Sequence, residues 1–126
     1  PELVRLATVQ HLATQIVGRL ADDMSLLEVL GVLHPTPAVG GTPRTEAASF
    51  IEKLEAVDRG WYSGGIGWSD TGGDGEVAVA LRCALMSGEV SRLYAGAGIV
   101  AESDPDAELA ETRLKLAPLL SVLAAG

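Results

Sequence analysis

The chain has 126 residues, with 9 Lys and Arg against 17 Asp and Glu, and carries a formal net charge of −8 at pH 7. Hydrophobic residues make up 48% and aromatic residues 4%, which predicts one domain with a core of aliphatic side chains. The acidic charge excludes a nucleic-acid partner, the single Cys83 excludes an internal disulfide, and the apolar runs are too short to span a membrane.

The N-terminal third is predicted to contain one strand and one helix. Apolar residues between 3 and 20 fit either structure, but β-branched residues and Gly18 favour a strand over about 8–19. The run Asp22-Asp23-Met24-Ser25 is typical of a helix start, and apolar residues on one face extend this helix to about Leu33. The prolines that follow, at 35 and 37, end the helix because a residue before proline avoids the helical region.

A turn at 40–41 leads into a second predicted helix. Thr42 is a suitable N-cap for this helix, and Pro43 is a suitable first helical residue. Apolar residues at 48, 50, 51 and 54 form one helical face that extends to about Ala56.

The second half of the chain is predicted to form strands and a final helix. Strands are expected over 62–69, 77–84 and 90–100, with a glycine-rich hairpin connection at 71–75 and a turn at 88–89. Ser103-Asp104-Pro105 begins a helix that runs almost to the C-terminus, with acidic residues in its first turn. The predicted class is therefore α+β, with an antiparallel β-meander flanked by helices.

Arg82 is a candidate ligand-binding residue on the second of these strands. Alternation places it on the same face as Ala78, Ala80 and Ala84. A guanidinium on such a face requires an anion, and its small neighbours leave room for a small ligand. An ordinary ion pair with a nearby carboxylate explains the same pattern.

The third strand and the last helix carry further candidates. Glycines within Ala95-Gly96-Ala97-Gly98 indicate either the close approach of a ligand or tight packing of the sheet against a helix.

On the helix, Glu108, Glu111 and Lys115 are spaced three and four residues apart and share one stripe. This stripe suits either an Mg²⁺ site or a solvated face with a Glu111–Lys115 pair. His11, on an apolar segment, fits a hydrogen-bonded core histidine or a catalytic one.

Several segments together resemble the chorismate-utilising enzymes, and within that family the isochorismate synthases. In chain order they are VQHL at 9–12, HPTPAVGGTP at 34–43, DRGWYSGGIGW at 58–68, LRCA at 81–84, AGAGIV at 95–100 and ELAETRLKL at 108–116. They cover nearly the whole chain, in order and at compatible spacings, so the chain is identified as a member at the level of the family.

The resemblance implies a fold and an activity. Residues 1–126 are expected to be the C-terminal part of a single chorismate-binding catalytic domain, an α+β domain in which two sheets pack together with helices outside. The implied reaction is the Mg²⁺-dependent isomerisation of chorismate to isochorismate, in which water adds at one ring carbon while the hydroxyl across the conjugated system leaves. The product is used in menaquinone or siderophore biosynthesis.

The matching positions imply a role for each of the three charged residues that share a stripe on the last helix. Glu111 is expected to bind Mg²⁺ directly, with Glu108 in the same acidic shell, and Lys115 is expected to face the ring carboxylate of chorismate. A cation beside that carboxylate is physically reasonable, because the dianionic substrate otherwise has to approach acidic side chains.

Other matching positions imply contacts with the rest of the substrate. Arg82 and Tyr62 are expected to hold the pyruvyl carboxylate, and the backbone of Gly96 is expected to approach the substrate. His11 matches an active-site histidine of the family. Ala38 stands where the salicylate-forming and amine-forming branches typically carry Thr.

Three groups of the family pattern have no counterpart in this sequence: the general-base lysine, the general-acid glutamate in a Ser-Pro-Glu context, and the first metal-binding glutamate. They are expected upstream of Pro1, so the chain is expected to be a piece of a longer protein. Alone it is then expected to be inactive and to associate through exposed core surface. The single cysteine and the lack of a visible secretion signal predict a reducing, cytoplasmic compartment.

Three other functions remain open from the sequence. One is a salicylate synthase, which goes on to eliminate pyruvate. Another is an ammonia-using anthranilate or aminodeoxychorismate synthase. The third is a non-catalytic module that binds a dicarboxylate and keeps only this part of the fold.

Overall fold

The computed structural model describes residues 1–5 and 10–124, which form short strands and helices in an α+β arrangement. The elements are β1 (Glu2–Arg5), β2 (Gln10–Ala13), α1 (Leu26–Leu33), α2 (Pro37–Gly40), α3 (Arg44–Leu54), β3 (Gly65–Ser69), β4 (Gly75–Val79), β5 (Cys83–Ser87), β6 (Val90–Tyr94) and α4 (Pro105–Ala124). The predicted α+β class is confirmed.

The strands pair as three antiparallel hairpins. Glu2 lies opposite Ala13 in β1–β2, Gly65 opposite Val79 in β3–β4, and Cys83 opposite Tyr94 in β5–β6. Antiparallel pairing is as predicted, but the strands of the described residues divide into three two-stranded sheets instead of one continuous meander.

The predicted strand over 77–84 is broken into β4 and β5, because the backbone turns between them. The Leu81 N–H donates to the Val79 carbonyl at 2.9 Å, and Arg82 has a φ of 48°. This left-handed backbone conformation interrupts the alternation of side chains. The prediction that Arg82 shares a strand face with three alanines is therefore wrong.

The other predicted strands are shorter than expected. In the segment 8–19, Gln10–Ala13 is a strand, residues 14–19 are not, and residues 8 and 9 lie outside the described residues. The strand expected from residue 62 begins at Gly65, and the strand expected over 90–100 ends at Tyr94. Strand β1 was not predicted.

Helix α1 begins and ends where the sequence predicts. Ser25 is its N-cap and forms a capping box with Glu28: the Glu28 N–H donates to Ser25 Oγ at 3.3 Å, and the Ser25 N–H donates to Glu28 Oε2 at 2.8 Å. The helix packs on the β3–β4 hairpin, since a Cβ built on Gly65 would lie 3.1 Å from Leu30 Cδ2.

The start of α3 differs from the prediction. Pro43 is the N-cap, with extended backbone at φ −63° and ψ 146°, and makes no side-chain cap hydrogen bond. The helix therefore begins at Arg44, and the assignment of Thr42 as N-cap is wrong. The short helix α2 was not predicted; it begins with Pro37, where a missing N–H costs no helical hydrogen bond.

Helix α4 begins as expected and positions the acidic stripe. The Ala107 N–H donates to Asp104 Oδ1 at 2.8 Å, which satisfies a donor of the first turn. Asp106 and Glu108 lie in that turn, where the helix dipole favours negative charge. None of the helices in the described part of the chain combines the length and the apolarity that a membrane crossing requires.

Candidate active site

A cleft of about 660 Å³ lies between α2, the turn that precedes β3, the segment that follows β6, and α4. Five of the residues predicted from the sequence line this cleft: Ala38, Tyr62, Gly96, Glu108 and Lys115. They come from four separate segments of the chain, so the tertiary structure brings together most of the predicted site.

Helix α4 contributes Glu108 and Lys115 of its charged stripe to the cleft lining, whereas Glu111 is exposed beside the cleft and is not part of the lining. Lys115 Nζ lies 2.7 Å from Glu111 Oε1 and donates to the Gly96 carbonyl at 2.9 Å. Glu108 accepts a hydrogen bond from Ser103 Oγ at 2.8 Å. The spacing of three and four residues places these three side chains on one face of α4. Lys115 also links the helix to the glycine-containing segment 95–98.

The Lys115 ammonium holds the pKa of the Glu111 carboxyl below its usual range, first through their hydrogen bond and then through its charge; the charge of Arg82 adds a smaller effect. Glu111 therefore stays ionised at lower pH than an isolated glutamate. An anionic carboxylate beside a cleft is suited to a hard cation or to a hydrogen-bond donor of a ligand.

Glu108 and Glu111 fit a part of an Mg²⁺ shell. Mg²⁺ prefers oxygen ligands, and proteins commonly supply only one or two carboxylates while water and substrate supply the rest. Within residues 1–5 and 10–124, no three His, Cys, Asp or Glu side chains are grouped as metal ligands. The two glutamates therefore suit a site that shares the metal with other ligands.

Tyr62 lines the cleft and packs against a second tyrosine. Its ring stacks on Tyr94, with the centroids 5.4 Å apart and the planes inclined by 17°. Its hydroxyl lies close to Gly96: a Cβ built on that glycine would stand 2.8 Å from the Tyr62 oxygen. A glycine at 96 thus leaves space for a phenol group that faces the cleft.

Arg59 is a residue of the site that the sequence reasoning did not single out. Its Nη1 donates to the Val39 carbonyl at 2.9 Å and to Ser63 Oγ at 3.2 Å, and its Nε donates to Glu55 Oε2 at 2.7 Å. The four-residue spacing of Glu55 and Arg59 was a signal for their pairing. The contacts with Val39 and Ser63 had no such signal, because they depend on a turn.

Arg82 and His11 are two further residues that the sequence predicts for the site. Arg82 is exposed at the bend between β4 and β5 and is not part of the cleft lining, although its charge acts on Glu111. His11 lies on β2 opposite Val4, but its side chain lies outside the described residues. The structure therefore does not bring Arg82 to the cleft wall, and the prediction for His11 falls outside the described residues.

The family of the chain follows from comparison with known proteins. Residues 1–124 match the family of chorismate binding enzymes. The chain belongs to this family.

Two curated relatives are similar over almost the whole chain. Isochorismate synthase MenF of Bacillus subtilis (strain 168) is 46% identical over 123 residues, which are 98% of this chain and 26% of the relative. A protein named salicylate biosynthesis isochorismate synthase, from Pseudomonas aeruginosa, is 50% identical over 125 residues, or 99% of this chain and 26% of its own length. The chain thus spans about a quarter of the length of these relatives.

A solved structure shares the fold. The crystal structure of DhbC from Bacillus anthracis superposes with a TM-score of 0.77 at 52% sequence identity, over 81% of this chain and 27% of that protein. The α+β arrangement described above is therefore that of a chorismate-binding enzyme over the matched region.

Proposed function

We propose that this chain forms one wall of the active site of an enzyme that isomerises chorismate to isochorismate. The observation that carries the proposal is the meeting of Lys115, Glu108 and the Tyr62 hydroxyl at one cleft of a chorismate-binding family member, with Glu111 bound to Lys115 beside it. Chorismate carries two carboxylates, and the cleft offers both a cationic group, Lys115, and a hydroxyl donor, Tyr62. Relatives that carry the name isochorismate synthase support the choice of reaction.

The proposal includes the place of the chain in the enzyme. Residues 1–126 would be the C-terminal part of a single catalytic domain, and the remaining acid–base groups would come from elsewhere in that domain. The small share of each relative that the chain covers supports this arrangement.

Lys115 would bind the ring carboxylate. An ammonium group has three donors, and two of them already contact Glu111 and the Gly96 carbonyl. The third would donate to the substrate, while the two existing contacts hold the nitrogen in place. The carbonyl of Gly96 thus acts as a backbone anchor beside the substrate.

Tyr62 and Arg82 would hold the pyruvyl carboxylate. The hydroxyl of Tyr62 is suited to donate to it, since the ring is fixed by stacking on Tyr94. Arg82 is exposed in the structure, so its side chain would have to turn toward the cleft to contribute a second, charged donor.

Glu111, with Glu108 beside it, would contribute the protein ligands of Mg²⁺. When bound, the ion neutralises negative charge on the substrate and polarises its oxygen ligands. Lys115 lowers the pKa of Glu111, so the carboxylate stays ionised to lower pH than an isolated glutamate. The part of His11 in the reaction stays a prediction from the family resemblance.

Ala38 would favour isochorismate as the final product. In the reaction, water adds to one ring carbon and hydroxide leaves from another, so substrate and product have the same atoms. Ala38 lines the cleft and presents only a methyl group. Without a hydroxyl at this position, bound isochorismate would be released with its pyruvyl group intact.

The test is a product assay on the natural gene product that contains this sequence, incubated with chorismate and Mg²⁺. We expect isochorismate with little or no pyruvate. Stoichiometric pyruvate would instead indicate a salicylate synthase, and an aromatic amine formed only with ammonia would indicate the amine-forming branch. Binding of chorismate without any conversion would favour the non-catalytic module.

A further inference from the structure

Arg59 lies where three segments of the chain meet beside the cleft. Its guanidinium contacts α2 through the Val39 carbonyl at 2.9 Å and the turn before β3 through Ser63 Oγ at 3.2 Å. It also contacts the residue after α3 through the carboxylate of Glu55, to which Nε donates at 2.7 Å and Nη2 donates as well.

The same guanidinium covers the ring of Tyr62. Its central carbon lies 5.8 Å from the centroid of the Tyr62 ring, and the same ring stacks on Tyr94. An arginine has a planar, rigid fork, so the two bonds to Glu55 set the plane of the guanidinium. Once that plane is set, Nη1 is directed toward Val39 and Ser63.

We infer that Arg59 is a positioning residue that fixes Tyr62 and the segment carrying Ala38 relative to each other, with Glu55 orienting Arg59. Val39 adjoins Ala38, and Ser63 adjoins Tyr62, so a single side chain sets the positions of two walls of the cleft. Part of this inference rests on the proposed function, because the ligand that the two walls would hold is chorismate.

The charges of Arg59 and Glu55 favour an ion pair that persists at neutral pH. The hydrogen bond from Arg59 lowers the pKa of the Glu55 carboxyl, and the same bond raises the pKa of Arg59. Both groups therefore remain ionised across the neutral range. Arg59 is about one-quarter exposed, so water competes only partly for its donors.

The experiment uses the natural gene product with tyrosine rings labelled with ¹³C, and compares Arg59→Ala, Arg59→Lys and Glu55→Gln. The Tyr62 signal is assigned by its loss in Tyr62→Phe. For Arg59→Ala we expect a shifted Tyr62 signal. We also expect the KM for chorismate to rise about tenfold, which is the usual effect of losing one hydrogen bond to a charged group, and kcat to change less. Arg59→Lys should restore little of either, because an ammonium cannot make the planar contacts. Glu55→Gln should shift the signal in the same direction but less.

Arg44→Ala is the matched control. Arg44 also donates to backbone carbonyls, those of Val32 and His34, but it is not part of the cleft lining. It should leave both the Tyr62 signal and KM near wild type.

Two outcomes would overturn the inference. One is an unchanged Tyr62 signal in Arg59→Ala and Glu55→Gln; the other is full rescue by Arg59→Lys, which would reduce the role of Arg59 to that of a point charge. If the unmodified protein does not convert chorismate, the proposed function fails, whereas the NMR comparison still decides whether Arg59 positions Tyr62.

Discussion

Glu111 and Lys115 show how one pair of residues can serve both as an ordinary helix pair and as part of a site. Their spacing of four residues is common on solvated helices, where such a pair adds little to stability. What distinguishes this pair is the additional contact of Lys115 with the Gly96 carbonyl at 2.9 Å. The lysine is thereby directed toward the cleft instead of the bulk solvent.

Replacement of Lys115 by methionine should raise the pKa of Glu111. The pKa is lowered by the hydrogen bond and charge of Lys115, so removal of both should return it toward the ordinary value for glutamate. The measurement is a titration of the Glu111 side-chain carboxyl carbon by NMR. Lys53→Met, which removes a lysine from α3, should leave the midpoint unchanged; an unchanged midpoint in Lys115→Met as well would contradict the assignment.

Glu111→Gln should greatly weaken the dependence of chorismate conversion on Mg²⁺ and leave the fold intact. The amide keeps the size of the side chain but loses the charge that a hard cation requires. The check is activity of the natural gene product against Mg²⁺ concentration, together with its circular dichroism. Glu102→Gln, which removes a carboxylate from the turn before α4, is the control. A wild-type Mg²⁺ response would remove Glu111 from the metal site.

Gly96→Ala should raise the KM for chorismate. The new Cβ would lie 2.8 Å from the Tyr62 hydroxyl, which is held by the stack on Tyr94 and cannot yield easily. Gly98→Ala is the matched comparison, because the Cβ there meets no heavy atom of the described chain within 4 Å and should have a several-fold smaller effect. Equal effects of the two substitutions would mean that the Tyr62 hydroxyl does not restrict position 96.

At the level of the elements, helices were predicted more accurately than strands. Helix α1 ends at Leu33 and α4 begins at Pro105, as expected, because capping residues and prolines act within a few residues. Strands were predicted too long because their ends depend on where a partner strand stops. The bend at Arg82 divides one continuous apolar run into two hairpins.

Ser25→Ala should weaken α1. The substitution removes the side-chain half of the capping box, and loss of such a cap costs about 1 kcal/mol. Amide hydrogen exchange in the first turn of α1 should accelerate by about fivefold, the equivalent of that energy. Thr45→Ala, an exposed substitution in α3, should not change these rates. Unaltered exchange in Ser25→Ala would show that packing on β3–β4, and not the cap, holds the end of the helix.

For the whole molecule, the exposed surface is the dominant feature. A folded monomer of 13.0 kDa is expected to expose about 6,300 Å², whereas this chain exposes 10489 Å². In the part of the chain that the structure describes, no large hydrophobic side chain is buried, and Ile16 and Trp61 are 89% and 83% exposed. Surface of this extent is typical of a region that packs against further protein.

The 126-residue chain by itself should associate and should not convert chorismate. Its apolar surface should bind a hydrophobic dye and drive formation of oligomers. Conversion should be absent even with excess Mg²⁺, since the proposed function takes the remaining acid–base groups from elsewhere in the domain and each such group typically contributes ~10²–10⁴-fold. Light scattering after gel filtration, dye fluorescence and a chorismate assay test these expectations. A stable monomer that binds no dye and forms isochorismate would contradict them.

The charged stripe of α4 could be derived from the sequence, because helical spacing is a local property: Glu108, Glu111 and Lys115 share a face wherever the helix packs. The small residues around Gly96 indicated a close approach, the family resemblance added Tyr62 and Ala38, and the structure brings all three residues to the cleft.

The position of Arg82 and the role of Arg59 required the tertiary structure. Arg82 was misplaced because the backbone turns after Val79 and Arg82 itself is left-handed, so the side-chain alternation of β4 does not continue to it. Arg59 was missed because its contacts with Val39 and Ser63 join segments that only the packed turn brings within hydrogen-bond distance. Local geometry thus determined which residues the helix presents, whereas long-range packing determined which groups they meet.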